Sequence, residues 1–174
     1  MFKNFQAFLV QFFVLFFAIV VPVASAQTFA PFITTWRTDN PGYSDDQSIR
    51  IPMIGNGYDF TVDWGDGTDE DYNTNPGEDV EHFLEYTYAS VGEYEVKNTG
   101  DFPRIYFNFD GERQKILTID QWGDIEWGSM ERAFRGASEL TYNAADLPDL
   151  ASVTSMSSMF DGASTLAFPC QIHW

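Results

Sequence analysis

The sequence predicts a mainly β protein in two parts, an antiparallel β-sandwich followed by a short α/β solenoid. Residues 58–64 alternate between apolar and polar side chains, which is the pattern of a half-buried strand, and they end on a Gly-Asp-Gly-Thr turn. Roughly six or seven such short segments are separated by turn signals, which is typical of a sandwich. The second part contains an internal repeat with a period of 26 residues, which is typical of stacked units.

Residues 1–26 are predicted to be a signal peptide. Lys3 precedes an apolar run from Ala7 to Val21, Pro22 ends the run, and Ala24-Ser25-Ala26 forms a small-x-small cleavage site. The run is too short for a comfortable bilayer span. We therefore expect cleavage before Gln27, a secreted or cell-surface location, and no membrane insertion after cleavage. An uncleaved N-terminal anchor is the alternative.

The mature chain would be strongly acidic. Cleavage leaves 148 residues, in which 8 basic residues face 26 acidic ones, a net charge of −18. Phosphate binding requires Lys and Arg, so this charge argues against nucleic acid and anionic membranes as partners. The single cysteine, Cys170, cannot form an internal disulfide. The fold must therefore rest on packing, in one ordinary core or two small ones.

The first part, residues 27–110, is divided into strands by its turn residues. An acidic, turn-rich stretch at residues 69–79 is expected to form an exposed loop. Pro52 is expected to end the second strand, and residues 98–103 are expected to turn the chain after the fifth. The predicted strands are Gln27–Arg37, Ser48–Ile51, Tyr58–Trp64, His82–Tyr88, Tyr94–Lys97 and Arg104–Phe109.

Three motifs of this part resemble the PKD domain family. They are residues 62–68 (Val-Asp-Trp-Gly-Asp-Gly-Thr), residues 86–88 (Tyr-Thr-Tyr) and residues 91–96 (Val-Gly-Glu-Tyr-Glu-Val). The resemblance implies an immunoglobulin-like β-sandwich over roughly residues 32–109. Tyr86 stands where the family usually has His.

The second part, residues 111–174, contains two copies of one motif. Residues 129–140 (Ser-Met-x-x-Ala-Phe-x-Gly-Ala-Ser-x-Leu) return as residues 155–166 (Ser-Met-x-x-Met-Phe-x-Gly-Ala-Ser-x-Leu), 26 residues later at every matched position. In each copy four apolar residues recur at the spacing of one helical face. Short apolar pieces at residues 116–119, 140–142 and 166–168 lie between them. Short parallel strands alternating with two short helices are therefore expected.

This part resembles the BspA-type bacterial surface leucine-rich repeats, which carry Ser-Met-x-x-Met-Phe-x-Gly-Ala-Ser. Residues 150–154 (Leu-Ala-Ser-Val-Thr) match the family pattern between the copies, whereas residues 166–174 depart from it. A solenoid needs about three repeats and a polar cap. The sequence therefore suggests a truncated or frame-shifted product.

The densest group of carboxylates follows the opening strand. Asp63, Asp66, Asp69 and Asp71, with Glu70 among them, surround a glycine turn, and such oxygen ligands could bind calcium. The spacing is neither an EF-hand loop nor a nonapeptide calcium repeat. The alternative is that Asp66 accepts backbone amides in the turn while Asp69 to Asp71 are solvated. No metal site is assigned, and no cofactor.

No catalytic residue is assigned either. Paired carboxylates would suit a glycosidase, but pairs are unavoidable in so acidic a chain. His82, His173 and Cys170 have no catalytic or metal-binding spacing.

Most of the aromatic residues are expected in the core. The open alternative concerns Trp122 and Trp127, which either pack between the two parts or stack on sugars. By resemblance, the chain is expected to be a non-enzymatic bacterial adhesion protein, in which the sandwich is a spacer and the repeats form the surface that recognises an extracellular protein or glycan. The alternative is a carbohydrate- or calcium-binding accessory module of a secreted degradative system.

Overall fold

The computed structural model describes residues 29–167, and the predicted signal peptide and the end of the chain lie outside these residues. Within this range the protein is mainly β and contains no helix. The strands are β1 (Phe32–Arg37), β2 (Ser48–Ile54), β3 (Tyr58–Asp63), β4 (Asp69–Thr74), β5 (Glu81–Thr87), β6 (Glu93–Asp101), β7 (Ile116–Gln121) and β8 (Thr141–Tyr142).

The strands form one large mixed sheet and one small sheet. The large sheet has the order β4-β3-β6-β1-β7-β8, and β2 pairs with β5 in the small one. All pairings are antiparallel except that of β7 with β8, in which Thr118 lies opposite Thr141. Because β7 pairs directly with β1, the two predicted parts of the chain contribute to the same sheet.

The alternating stretch forms the strand that its pattern predicts. Tyr58, Phe60 and Val62 are buried, whereas Asp59 and Thr61 are exposed. Trp64 follows the strand, is fully buried, and stacks on Tyr86 with 4.6 Å between ring centroids. At Gly65, φ is 79° and an added Cβ would collide with the backbone carbonyl of Glu95, so only glycine fits there.

Four boundary predictions are wrong because tertiary pairing overrides local signals. Pro52 lies inside β2, which has a partner on only one side, so its missing N–H is tolerated while its carbonyl accepts Tyr106 N–H at 3.1 Å. Residues 69–74 are exposed as expected, yet they form β4 by pairing with β3. β6 continues to Asp101 instead of turning at residue 98. Residues 104–109 form no strand, since they lie across the edge of β2.

The repeated motifs form consecutive turns, so the predicted helices are wrong. The amides of Ala133, Arg135 and Ala137 close turns within the first copy at 3.1–3.3 Å. The intervening amides donate to the second copy at 2.7–2.9 Å instead, and a chain that uses alternate amides in this way cannot form a helix. These donors are Met130, Arg132, Phe134 and Gly136, and their acceptors are the carbonyls of Ser155, Ser157, Met159 and Asp161.

Burial of the repeat agrees with the sequence in the first copy and less well in the second. Met130, Ala133, Phe134 and Ala137 are fully buried, as expected for one apolar face. In the second copy Met159 is buried, but Met156 is 42% exposed. The first copy is covered on two sides, because the amide of Phe107 donates to the carbonyl of Ala133 opposite the second copy. Of the third predicted strand, residues 166–167 are not in a strand and Phe168 lies outside the described residues.

One hydrophobic cluster runs through both predicted parts. It joins the small sheet (Ile49, Leu84) to the large sheet (Val62, Val96) and continues into the first repeat copy through Phe134. Of the two alternatives, one core or two small ones, residues 29–167 therefore form one core.

A buried ion pair holds the loop before β2 against the turn before β7. Lys115 and Glu112 are each 1% exposed, with Nζ 3.5 Å from Oε2. Lys115 Nζ donates to the carbonyls of Asp45 and Ser48 at 2.7 and 2.8 Å. Glu112 Oε1 accepts the backbone amides of residues 43 and 44 at 2.9 and 2.7 Å. These bonds satisfy most of the buried charge.

Candidate functional site

The acidic cluster at the end of β3 shapes a turn. Asp66 Oδ1 accepts from the Thr68 amide at 3.1 Å and from its hydroxyl at 2.7 Å, and Asp66 Oδ2 accepts from Tyr86 Oη at 2.8 Å. The expectation that Asp66 forms the bend is thus confirmed. Desolvation alone would raise the pKa of Asp66, but the hydrogen bonds from Thr68 and Tyr86 outweigh it and lower that pKa. Among residues 29–167 no three His, Cys, Asp or Glu side chains are grouped so as to hold a metal ion.

Trp122 and Trp127 are both fully buried, 5.9 Å apart between ring centroids and nearly perpendicular. Trp122 Nε1 donates to Tyr142 Oη at 2.9 Å, and Trp127 meets the ring of Phe32 edge-on at 5.1 Å. The prediction that they pack between the two parts is confirmed. Stacking of these two rings on a sugar is excluded, because neither ring has an accessible face.

The histidine in the described region has a structural role. His82 lies within β5, where Nδ1 is 3.2 Å from Tyr72 Oη and Nε2 is 3.2 Å from the Gly55 carbonyl oxygen. Desolvation lowers the pKa of His82, opposed by the bond to Gly55, so the ring is neutral at physiological pH. His173 and Cys170 lie outside the described residues.

The structure instead brings together a groove that the sequence does not announce, which we call the aromatic groove. It has a volume of about 280 Å3 and lies between the small sheet, the loop before β2 and residues 106–112. Met53 and Phe107 form its buried floor. Its polar lining includes Arg50, Glu81 and Asp110. An apolar floor with a few polar groups around it is the usual form of a ligand site.

Tyr43 forms one rim of the groove and is held in place although it is 67% exposed. A hydrogen bond from its hydroxyl to Asp110 raises the pKa of Tyr43 and lowers that of Asp110. The Tyr43 backbone amide donates to the buried carboxylate of Glu112. The backbone of Tyr43 is therefore tied to Glu112, while its side chain stays largely exposed.

Phe83 forms another rim and is 50% exposed. It lies opposite Pro52 in the small sheet, and the guanidinium carbon of Arg50 lies 4.5 Å from the centre of its ring. Arg50 Nε is in turn 3.2 Å from Glu85 Oε2 on the neighbouring strand. The arginine covers part of Phe83 and limits its motion, while half of the side chain stays accessible.

The lining of the aromatic groove contains one basic residue, Arg50, and three acidic residues, Glu81, Asp110 and Glu112, with further basic residues nearby. Arg50 is paired with Glu85, and Glu112 with Lys115. Asp110 lies in the field of Arg113, and Glu81 in that of Arg132, whose pKa is raised first by its hydrogen bond to Tyr106. A larger cleft of about 340 Å3 next to Phe29 has three carboxylates, of Asp101, Asp124 and Glu126, and no basic residue in its lining.

One sequence signal could have pointed to this groove. In β5 the inward positions are those of residues 82, 84 and 86, so Phe83 shares the outer face with Glu81 and Glu85. A large apolar residue on a polar face is a mark of an interaction site. Tyr43, in a polar Pro-Gly turn, is a second such residue. Their proximity could not be inferred, because it depends on how the loop before β2 folds over the small sheet.

None of the described segments forms a helix long and apolar enough to cross a membrane. A scan against protein-family models, a search of curated proteins and a search of solved structures each found no match to this chain.

Proposed function

We propose that this chain is a secreted, non-enzymatic recognition protein of the bacterial surface, with a PKD-like sandwich as its mount and a short leucine-rich-repeat solenoid beside it. The observation that carries the recognition role is the aromatic groove, where the exposed aromatic side chains of Tyr43 and Phe83 border a buried apolar floor. Aromatic residues and arginine are enriched where proteins bind partners.

Two features support the proposed architecture. The small sheet and the large sheet contribute to one hydrophobic cluster, as two layers of a sandwich would. The two repeat copies are joined by a row of backbone hydrogen bonds, as neighbouring units of a solenoid would be. Export rests on the predicted signal peptide at residues 1–26.

The test begins with export of the full-length chain from a bacterial host, followed by mass spectrometry of the secreted product. A mature protein that begins at Gln27 is expected. The purified product is then passed over immobilised collagen, fibronectin, mucin and neutral polysaccharide films, with heat-unfolded protein as the control. Saturable binding by the folded protein alone supports a recognition role. A folded protein that binds none of these surfaces, or that turns over one of them, contradicts it.

The alternative function is that of a carbohydrate- or calcium-binding accessory module of a secreted degradative system. Its expected calcium ligands do not converge in residues 29–167, and its expected sugar-binding tryptophans are buried. Any carbohydrate binding would therefore have to use residues other than Trp122 and Trp127.

A further inference from the structure

We propose that the aromatic groove binds a neutral oligosaccharide, with sugar rings lying against Tyr43 and Phe83. This inference rests on the proposed recognition function and names the ligand class. A pyranose ring has an apolar C–H face and an edge of hydroxyl groups. It therefore needs an aromatic face beside planar polar groups, which is what these two side chains and their neighbours provide.

Each of the two side chains has one neighbour that restrains it before binding. The backbone amide of Tyr43 donates to Glu112, and Phe83 is covered on one side by Arg50. A rigid aromatic ring loses little conformational entropy when a ligand stacks on it. The two rims come from different segments, the loop before β2 and strand β5.

The polar groups suit hydroxyl groups. The guanidinium of Arg50 donates in a plane, while the carboxylates of Asp110 and Glu81 accept. A pair of adjacent sugar hydroxyls can donate to one and accept from the other. The floor formed by Met53 and Phe107 is apolar and suits the C–H face of a sugar ring.

Charge selects the class of sugar. The groove lining holds Arg50 with Glu81, Asp110 and Glu112, so it offers an anionic ligand little attraction, whereas a neutral ligand is not repelled. A polyuronate or sulfated chain would approach a molecule of net charge −17 and be repelled. The volume of about 280 Å3 accommodates part of an oligosaccharide rather than a protein surface.

The test is isothermal titration calorimetry of the secreted chain with hexamers of β-1,4-glucose, β-1,4-mannose, β-1,4-xylose and α-1,4-glucose. Hexagalacturonate of the same length is the anionic probe. At least one neutral hexamer is expected to bind with 1:1 stoichiometry. Tyr43→Ala and Phe83→Ala are each expected to weaken it by about tenfold or more, as truncation of a stacking aromatic does. Phe29→Ala, an exposed phenylalanine at the acidic cleft, is the matched control and should bind unchanged.

The circular dichroism spectrum and melting temperature of each variant should match those of the parent, since the side chains of Tyr43 and Phe83 are at least half exposed. Binding that is unchanged in both folded variants overturns the site, and binding of hexagalacturonate alone overturns the ligand class. If no neutral hexamer binds but the immobilised proteins do, the sugar proposal falls while recognition stands. If neither sugars nor proteins bind, both proposals fall.

Discussion

At the scale of single residues, the Trp-Gly-Asp-Gly turn shows how one carboxylate stabilises a bend and ties it to another strand. Asp66 accepts hydrogen bonds from Thr68 and from Tyr86, while Trp64 stacks on the same tyrosine. The side chain that seemed a candidate calcium ligand thus accepts three hydrogen bonds from protein donors.

The lowered pKa of Asp66 predicts an acid-dependent loss of stability. Because the folded pKa lies below the unfolded value of about 3.9, ionised Asp66 stabilises the fold above that pH. This stabilisation is lost as the pH falls through the folded pKa. Asp66→Asn should therefore lower the free energy of unfolding near neutral pH, and its difference from the parent should shrink as the pH falls below the ordinary carboxyl pKa. Urea unfolding at a series of pH values measures the gap, and a pH-independent gap would contradict this account.

The buried pair of Lys115 and Glu112 predicts a larger effect. Lys115→Met leaves Glu112 charged, buried and without its partner, which should cost about 3–5 kcal/mol of unfolding free energy. The matched control is Lys97→Met, because Lys97 forms its ion pairs on the surface and such pairs contribute about 0–1 kcal/mol. Chemical denaturation of both variants gives the comparison. Equal losses of unfolding free energy would mean that the buried pair stabilises the fold no more than the surface pairs do.

At the scale of elements, the repeat copies are stacked turns that depend on glycine. Gly136 has φ of 81°, and an added Cβ would collide with the ring of Phe109, which belongs to the segment before the first copy. Phe109 also lies against Gly162, where an added Cβ would be 2.7 Å from its Cζ. Both copies therefore use the same glycine position to admit one aromatic ring.

Gly136→Ala should accordingly destabilise the fold more than Gly111→Ala. Both positions have positive φ and cost about 1–2 kcal/mol of backbone strain when alanine is introduced. Only Gly136 adds overpacking of about 1–3 kcal/mol, because an alanine Cβ at Gly111 meets nothing within 4 Å. Thermal denaturation of the two variants should rank them in this order. The reverse order would show that the Phe109 ring can move away from an alanine Cβ at a small cost in free energy.

At the scale of the whole molecule, the large sheet and the hydrophobic cluster include residues from both predicted parts, which the sequence separates at residue 110. β1 pairs with β6 on one side and β7 on the other, so removal of β7 would expose an edge and uncover the core beside Ile116 and Ile119.

A fragment of residues 27–110 should therefore fail to fold cooperatively, whereas residues 27–167 should unfold in one transition. Coincident denaturation curves by tryptophan fluorescence and far-ultraviolet circular dichroism test cooperativity. A proteolytic fragment that ends near residue 110 and keeps a sharp melting transition would contradict this prediction. It would show that the first part is stable without β7.

The sequence by itself determined the features that depend on neighbouring residues. Alternation predicted β3 and its buried face, the glycine-aspartate turn predicted the role of Asp66, and the 26-residue offset identified the two copies that hydrogen-bond to each other. Burial of most aromatic residues was also expected, because they contribute large apolar areas to a core without disulfides, but for Trp122 and Trp127 the sequence left sugar stacking open.

Only the tertiary structure decided the features that depend on distant partners. Residues 69–74 form a strand because they pair with β3. The repeat forms turns because alternate amides of the first copy donate to carbonyls of the second. The aromatic groove joins residues 43, 50, 83 and 110, which no local period relates. Backbone and side-chain partners far apart in sequence set these outcomes, and their pairing is a property of the folded chain.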